Sequence, residues 1–186
     1  VTRTALVRTD RYSWGAIRLH WSIAALVLVN LMLGLFHESL LDGMTWGIPI
    51  HRAIGITVLA LTLVRIAWRA THRPPPLPAG LAAWARSAAA IVHWSFYGLL
   101  LALPVSGWML SSNPARLEPM SWFGLFPIPP LPITNAAAKL GHEAHGVLGY
   151  VMIALVAVHV GAALRHHFLL RYPVLGRMAP HSIRNG

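Results

Sequence analysis

The residues best placed for chemistry are two histidines on one long apolar run. His145 stands at the edge of the run Gly146 to Leu164, and His159 stands inside it. They are fourteen residues apart. On an α-helix that is close to four turns, so both imidazoles share a face, about 21 Å apart along the axis. A bilayer's hydrocarbon core is about 30 Å thick. A helix crossing it would carry one histidine near each side. Ordinary packing has no use for that arrangement, but two haems stacked across a membrane do.

Composition sets the solvent. The 186 residues are 56% hydrophobic and only 11% charged, with mean hydropathy +0.58. Soluble domains carry roughly a quarter charged residues, so the chain reads as one small integral membrane domain, 1–186. No cysteine is present, which excludes disulfides, iron–sulfur clusters, thiolate zinc sites and haem attached through thioethers. The net charge of +10 resembles a nucleic-acid signal. Its distribution argues against one, because arginines gather at the ends of apolar runs rather than along one polar face.

Four runs are long enough to span: 17–36, 50–69, 88–110 and 142–166. The first lacks a small-residue cleavage site behind it and reads as a span, not a removed signal peptide. Arginines before the first span, around 65–86 and after His167 outnumber those elsewhere. The positive-inside rule therefore places both termini in the cytoplasm. The connector with Glu38 and Asp42 is then outside. So is the stretch from Ser111 to Thr134, whose Trp122-Phe123-Gly124-Leu125-Phe126 and following prolines read as a loop lying on the outer membrane surface. Pro74-Pro75-Pro76 stiffens the inner connector, Pro104 should bend or break the third span, and Thr134 or Asn135 can cap the fourth helix.

Alternating span direction assigns each histidine a depth. His20 and His159 lie near the inner side, and His51 and His145 near the outer. Each pair comes from two helices, as ligation of one haem iron by two imidazoles requires. A lone histidine is more often a hydrogen-bonded core residue, but ionisable groups inside spans are costly and tend to be functional. His142 competes with His145. It lies about 100° off the His159 face, against about 40° for His145. His166, Arg69 and His93, all toward the inner side, are candidate contacts for haem propionates or a quinone. Packing, or a basic helix end, explains them equally well. His37, His72 and His181 read as solvated. Gly34, Gly55 and Gly149 recur on histidine-bearing faces, where a flat macrocycle would need bulk removed.

In order along the chain, the pieces are Leu19-His20-Trp21, Ile50-His51-Arg52-Ala53-Ile54-Gly55 with Arg65 and Arg69, and Pro74-Pro75-Pro76. Then come His93, Tyr97, Leu103-Pro104 and Gly107, followed by His145, His159, Ala162-Ala163-Leu164, His166-His167 and Leu175-Gly176-Arg177-Met178. This ordered set resembles the bacterial cytochrome b561 family, related to the cytochrome b subunits of nickel–iron hydrogenases. The resemblance covers nearly the whole chain. It implies an all-α integral membrane four-helix bundle in the bacterial inner membrane, with two non-covalent haem b groups in its core. The implied iron ligands are His20, His51, His145 and His159, paired as above. The implied activity is electron transfer across the membrane, with superoxide oxidised outside and ubiquinone reduced, that is, a superoxide:ubiquinone oxidoreductase; the basic cluster of His166, Arg69 and the C-terminal tail favours the inner side for the quinone. An electron-transfer subunit serving a partner dehydrogenase or hydrogenase is the alternative. A histidine-rich transporter would need more polar residues lining the spans than Asn30, Thr57, Thr62 and Ser95.

Overall fold

The structure is a computed structural model that describes residues 11–36, 45–72, 74–76, 83–169 and 174–179. The sequence expectations for Arg3, Arg8, His37, Glu38, Asp42, Arg73, Arg171, His181 and Arg184 lie outside the described residues.

Four long helices make up the body: α1 (Trp14–Phe36), α2 (Gly47–Thr71), α3 (Ala83–Ser111) and α4 (Asn135–Leu164). Each is long and apolar enough to cross a membrane. Their outward faces carry Val29, Leu63, Ile91 and Val158, all exposed. Apolar surface on that scale is a liability in water and ordinary in lipid. The helices run past the expected spans, because apolar runs mark only the hydrocarbon layer while capping residues set where a helix begins. Ser13 accepts the Ile17 N–H through its carbonyl, opening α1. Thr134 caps α4, its hydroxyl accepting from Ala137 N at 3.3 Å. Pro104 stays inside α3, which continues to Ser111 without a break.

Packing follows chain order, α1 on α2, α2 on α3, and most extensively α3 on α4. Among the described residues no comparable contact closes α4 back onto α1. Between lipid-solvated helices the hydrophobic effect contributes little, so close fit and hydrogen bonds do the holding. Gly141 shows this on α4. A Cβ there would stand 2.6 Å from Met109 Cβ and 3.0 Å from the Ser106 carbonyl. The shared core is Ile23, Ile54, Val58, Leu99, Leu100 and Met152. Met152, 1% exposed, lies seven residues from both His145 and His159 and fills the middle level of the bundle.

The connector after α3 departs from the expected surface loop. It forms a short antiparallel hairpin, β1 (Met120–Trp122) and β2 (Phe126–Ile128), packed on α2. Phe123 (φ 47°) and Gly124 (φ 76°) make its turn. After α4 the chain widens into a π-helical turn (Arg165–Leu169), and the short α5 (Val174–Met178) follows further on. α5 clasps the adjacent end of the bundle. Trp21 Nε1 donates to Met178 O at 2.8 Å, Arg177 Nη2 donates to Pro76 O at 2.6 Å, and Arg11 donates to Ala179 O.

Candidate functional site: two histidine pairs

The fold brings four half-buried histidines together as two pairs, one toward each end of the bundle. His51 of α2 faces His145 of α4 with ring centres 5.9 Å apart and planes at 85°. His20 of α1 faces His159 of α4 at 6.4 Å and 75°. Both gaps are too wide for a direct hydrogen bond between rings. Two metal–imidazole bonds of about 2.0 Å each, with the ring radii added, come to about 6 Å. The separations therefore suit an iron held between each pair.

Hydrogen bonding favours that use at the His51 end. His51 Nδ1 lies 3.1 Å from the Asn30 carbonyl, and His145 Nδ1 lies 3.0 Å from the Leu103 carbonyl. A carbonyl only accepts, so Nδ1 carries the proton in both rings and the lone pair sits on Nε2. Metal-bound histidines commonly donate their second nitrogen in this way. Ser106 Oγ stands 3.1 Å from the same His145 Nδ1 and donates to the Leu103 carbonyl at 2.8 Å. Four residues beyond each carbonyl is a glycine, Gly34 beyond Asn30 and Gly107 beyond Leu103. A Cβ at either would stand 3.0 Å from the Cε1 of its histidine. A carbonyl and a glycine one turn later thus hold each ring, and the device appears once on α1 and once on α3.

The His20 end is built differently. Arg65 Nη1 lies 3.2 Å from His20 Nδ1, and Arg65 Nε donates to the Tyr97 hydroxyl at 3.4 Å. A guanidinium only donates, so His20 Nδ1 accepts here. For Nε2 to face an iron with the proton on Nδ1, Arg65 must turn away, and it is then a cation available to an acidic group. Three rings crowd His159: His20, His93 at 5.8 Å and Phe96 at 5.2 Å.

Other expectations are redistributed. Gly34, placed by helical spacing on the His20 face, lies against His51, because the helix neighbour and not the spacing decides what a glycine meets. Gly55 faces Asn30, and Gly149 opens onto unfilled space. His142 is exposed, whereas His145 is the residue beside His51. A pocket near the His20 end is lined by Tyr12, Arg65, Trp68, Arg69, His72 and Tyr97, among others. Arg69 is in it; His93 and His166 are not. His72, expected to be solvated, is exposed but stacks on Trp68 at 4.0 Å and so forms part of this wall. The Asn30 carbonyl and Ser106 went unnoticed in the sequence. Backbone acceptors carry no residue signature, and a serine in a span reads as ordinary packing.

An α-helical membrane bundle with a histidine pair toward each end has the build of a membrane cytochrome. Comparison with known proteins supplies the family. The description "Prokaryotic cytochrome b561" matches residues 11–181, and the chain belongs to that family. The chain is 33% identical over 174 residues to Cytochrome b561 homolog 2 of Escherichia coli (strain K12), covering 91% of each chain. It is 31% identical over 131 residues to Cytochrome b561 homolog 1 of the same organism, covering 70% of this chain and 73% of that one. It is 28% identical over 179 residues to a Yersinia pestis protein named Probable superoxide oxidase CybB, covering 91% and 96%. The family binds b-type haem and consists of multi-pass bacterial membrane proteins.

Proposed function

We propose that the chain is a di-haem b-type cytochrome that oxidises superoxide at the outer face of the inner membrane and reduces ubiquinone from the inner side. The carrying observation is the two histidine pairs, stacked along one bundle at separations that suit iron. His51 and His145 would hold the outer haem, His20 and His159 the inner one. Bound haem supplies one-electron redox chemistry. The rest is the work of the chain. The carbonyls of Asn30 and Leu103 orient the outer rings. Met152 and the surrounding aliphatic core keep water out between the two levels. Arg65 and Arg69 offer cations to inner-haem propionates.

The Yersinia relative's name supports superoxide as the donor. Arg52 is paired with Glu118, Arg116 lies 3.7 Å from the same carboxylate, and Lys139 lies 3.9 Å from Glu143. Two arginines thus share one glutamate, but with Glu38 and Asp42 on the same side the outer face carries three positive and four negative charges, so its field adds little to the capture of a small anion. Tyr12, Trp68, His72 and Tyr97, with Arg69 at hand, offer aromatic rings and a cation that a quinone headgroup could stack on and hydrogen-bond to, although the cavity they line, about 30 Å³, would have to widen to admit one. Both chain termini are then cytoplasmic.

The test is a reduced-minus-oxidised spectrum with pyridine-haemochrome quantification, then superoxide added to the oxidised protein with and without ubiquinone. Two haems per chain, reduced by superoxide and reoxidised by quinone, is the expected result. Two haems indifferent to superoxide would assign the chain instead to electron transfer for a partner dehydrogenase or hydrogenase. Protein made with haem available and containing none would overturn both.

A further inference from the structure

We infer that the β1–β2 hairpin is a lipid-inserted wedge, its turn seated among the acyl chains of the leaflet at the His51 end. It does not stand in water or rest on the headgroups. Two contacts give its direction. Glu118, just before β1, pairs with Arg52 of α2. Trp122, the last residue of β1, donates from Nε1 to Thr57 Oγ1 at 3.0 Å. The strand therefore advances from 118 to 122 as α2 advances from 52 to 57, and both run toward the middle of the bundle. Five helical residues descend about 7.5 Å. The charged pair marks the headgroup level, because no charged residue follows on α2 until Arg65. The turn Phe123-Gly124-Leu125 continues beyond Trp122, at or below the level of Thr57.

The residues fit such a depth. No Asp, Glu, Lys or Arg occurs from 119 to 138. Phe123, Leu125 and Phe126 are 47%, 73% and 50% exposed, so the protein itself does not cover them. Lipid tolerates no unsatisfied backbone donors, which ordinarily bars a strand edge from the membrane. Here the outer edge of β2 is stripped of them. Ser121 faces Pro127 in the ladder. Proline cannot complete a two-bond pair, so the bonded pairs are the flanking ones and position 127 points outward from β2. Position 129, the next outward one, is also proline. The turn closes on itself, Leu125 N donating to Trp122 O at 2.9 Å. Trp108 Nε1 takes the Pro129 carbonyl at 3.0 Å. The charge pattern and the missing donors both favour acyl chains over a protein partner as the occupant.

The cysteine-free chain allows a direct test. Leu125→Cys and Phe126→Cys would each carry a nitroxide label in the full-length protein, reconstituted in phosphatidylcholine/phosphatidylglycerol vesicles. Lys139→Cys, whose parent side chain is 79% exposed, is the aqueous control. Val151→Cys, on a 47% exposed position of α4 as many residues beyond His145 as Thr57 is beyond His51, is the lipid control. Collision of each label with dissolved oxygen and with a water-soluble nickel chelate is then measured, and circular dichroism checks that each variant keeps its helix content. Labels at 125 and 126 should match the position-151 label, with high oxygen and several-fold less nickel collision than at 139. Nickel collision equal to that at 139 would overturn the inference by placing the hairpin in water. Low collision with both reagents would overturn it in favour of a covering protein surface, such as a second copy.

Discussion

Gly34 of α1 stands against the imidazole of His51 on α2, so close that a methyl group there would sit 3.0 Å from Cε1. Gly107 stands in the same relation to His145. Each glycine lies one helical turn after the carbonyl facing its histidine's Nδ1. Chain neighbours share the device: α1 serves α2, and α3 serves α4. The two halves of the bundle thus build the same half-site, and the halves meet across the gap between His51 and His145.

Gly34→Ala and Gly107→Ala should each push one ring off its carbonyl. The cost of such overpacking is about 1–3 kcal/mol. On the proposed assignment, haem at the His51/His145 level falls several-fold while the other level keeps its occupancy. Pyridine-haemochrome ratios together with low-spin ferric EPR signals would check this. Equal loss at both levels would point to general misfolding instead.

His51→Ala or His145→Ala should halve the haem per chain, and His20→Ala or His159→Ala should remove the other half. His142→Ala should change neither, since His142 is exposed and His145 is the residue beside His51. Haem stoichiometry in the five variants is the measurement. Loss in His142→Ala with retention in His145→Ala would reverse the assignment.

Thr62 is completely buried in α2, and its hydroxyl has no hydrogen-bond partner among the described residues. A buried, unmatched hydroxyl is unfavourable by about 1–3 kcal/mol. Thr62→Val keeps the shape and removes the polar atom. It should be neutral or raise thermal stability in detergent. A clear drop in the unfolding temperature would mean that the hydroxyl serves a bound group or a water.

Trp122→Phe deletes the hydrogen bond to Thr57 while keeping an aromatic ring on α2. The expected loss is about 0.5–1.5 kcal/mol, confined to the hairpin. Hydrogen exchange should quicken at Met120 to Ile128 and stay unchanged in the middle of α4. Uniform acceleration would mean that the hairpin helps hold the whole bundle.

Arg65→Gln removes the cation beside His20 and Tyr97. On the proposed assignment it weakens haem retention at the His20/His159 level and leaves the His51/His145 level unchanged. Haem loss to apomyoglobin, followed at both levels, would measure it. Identical kinetics in variant and parent would remove Arg65 from the site.

Much was legible in the chain itself. Four spans follow from apolar length, because a lipid solvent leaves few ways to satisfy a backbone other than helices. The face shared by His145 and His159 follows from 3.6 residues per turn, a property of one helix that needs no neighbour. Thr134 as a cap is equally local. Tertiary structure decided what crosses between helices. It set Gly34 against His51 rather than beneath His20, and chose His145 over His142 to face α2. It placed Arg65 on His20 and folded the expected surface loop into a hairpin running down α2. Periodicity gives each side chain a direction on its own helix, whereas a site depends on how neighbouring helices are rotated and what they bring to the same level. Only packing sets that rotation.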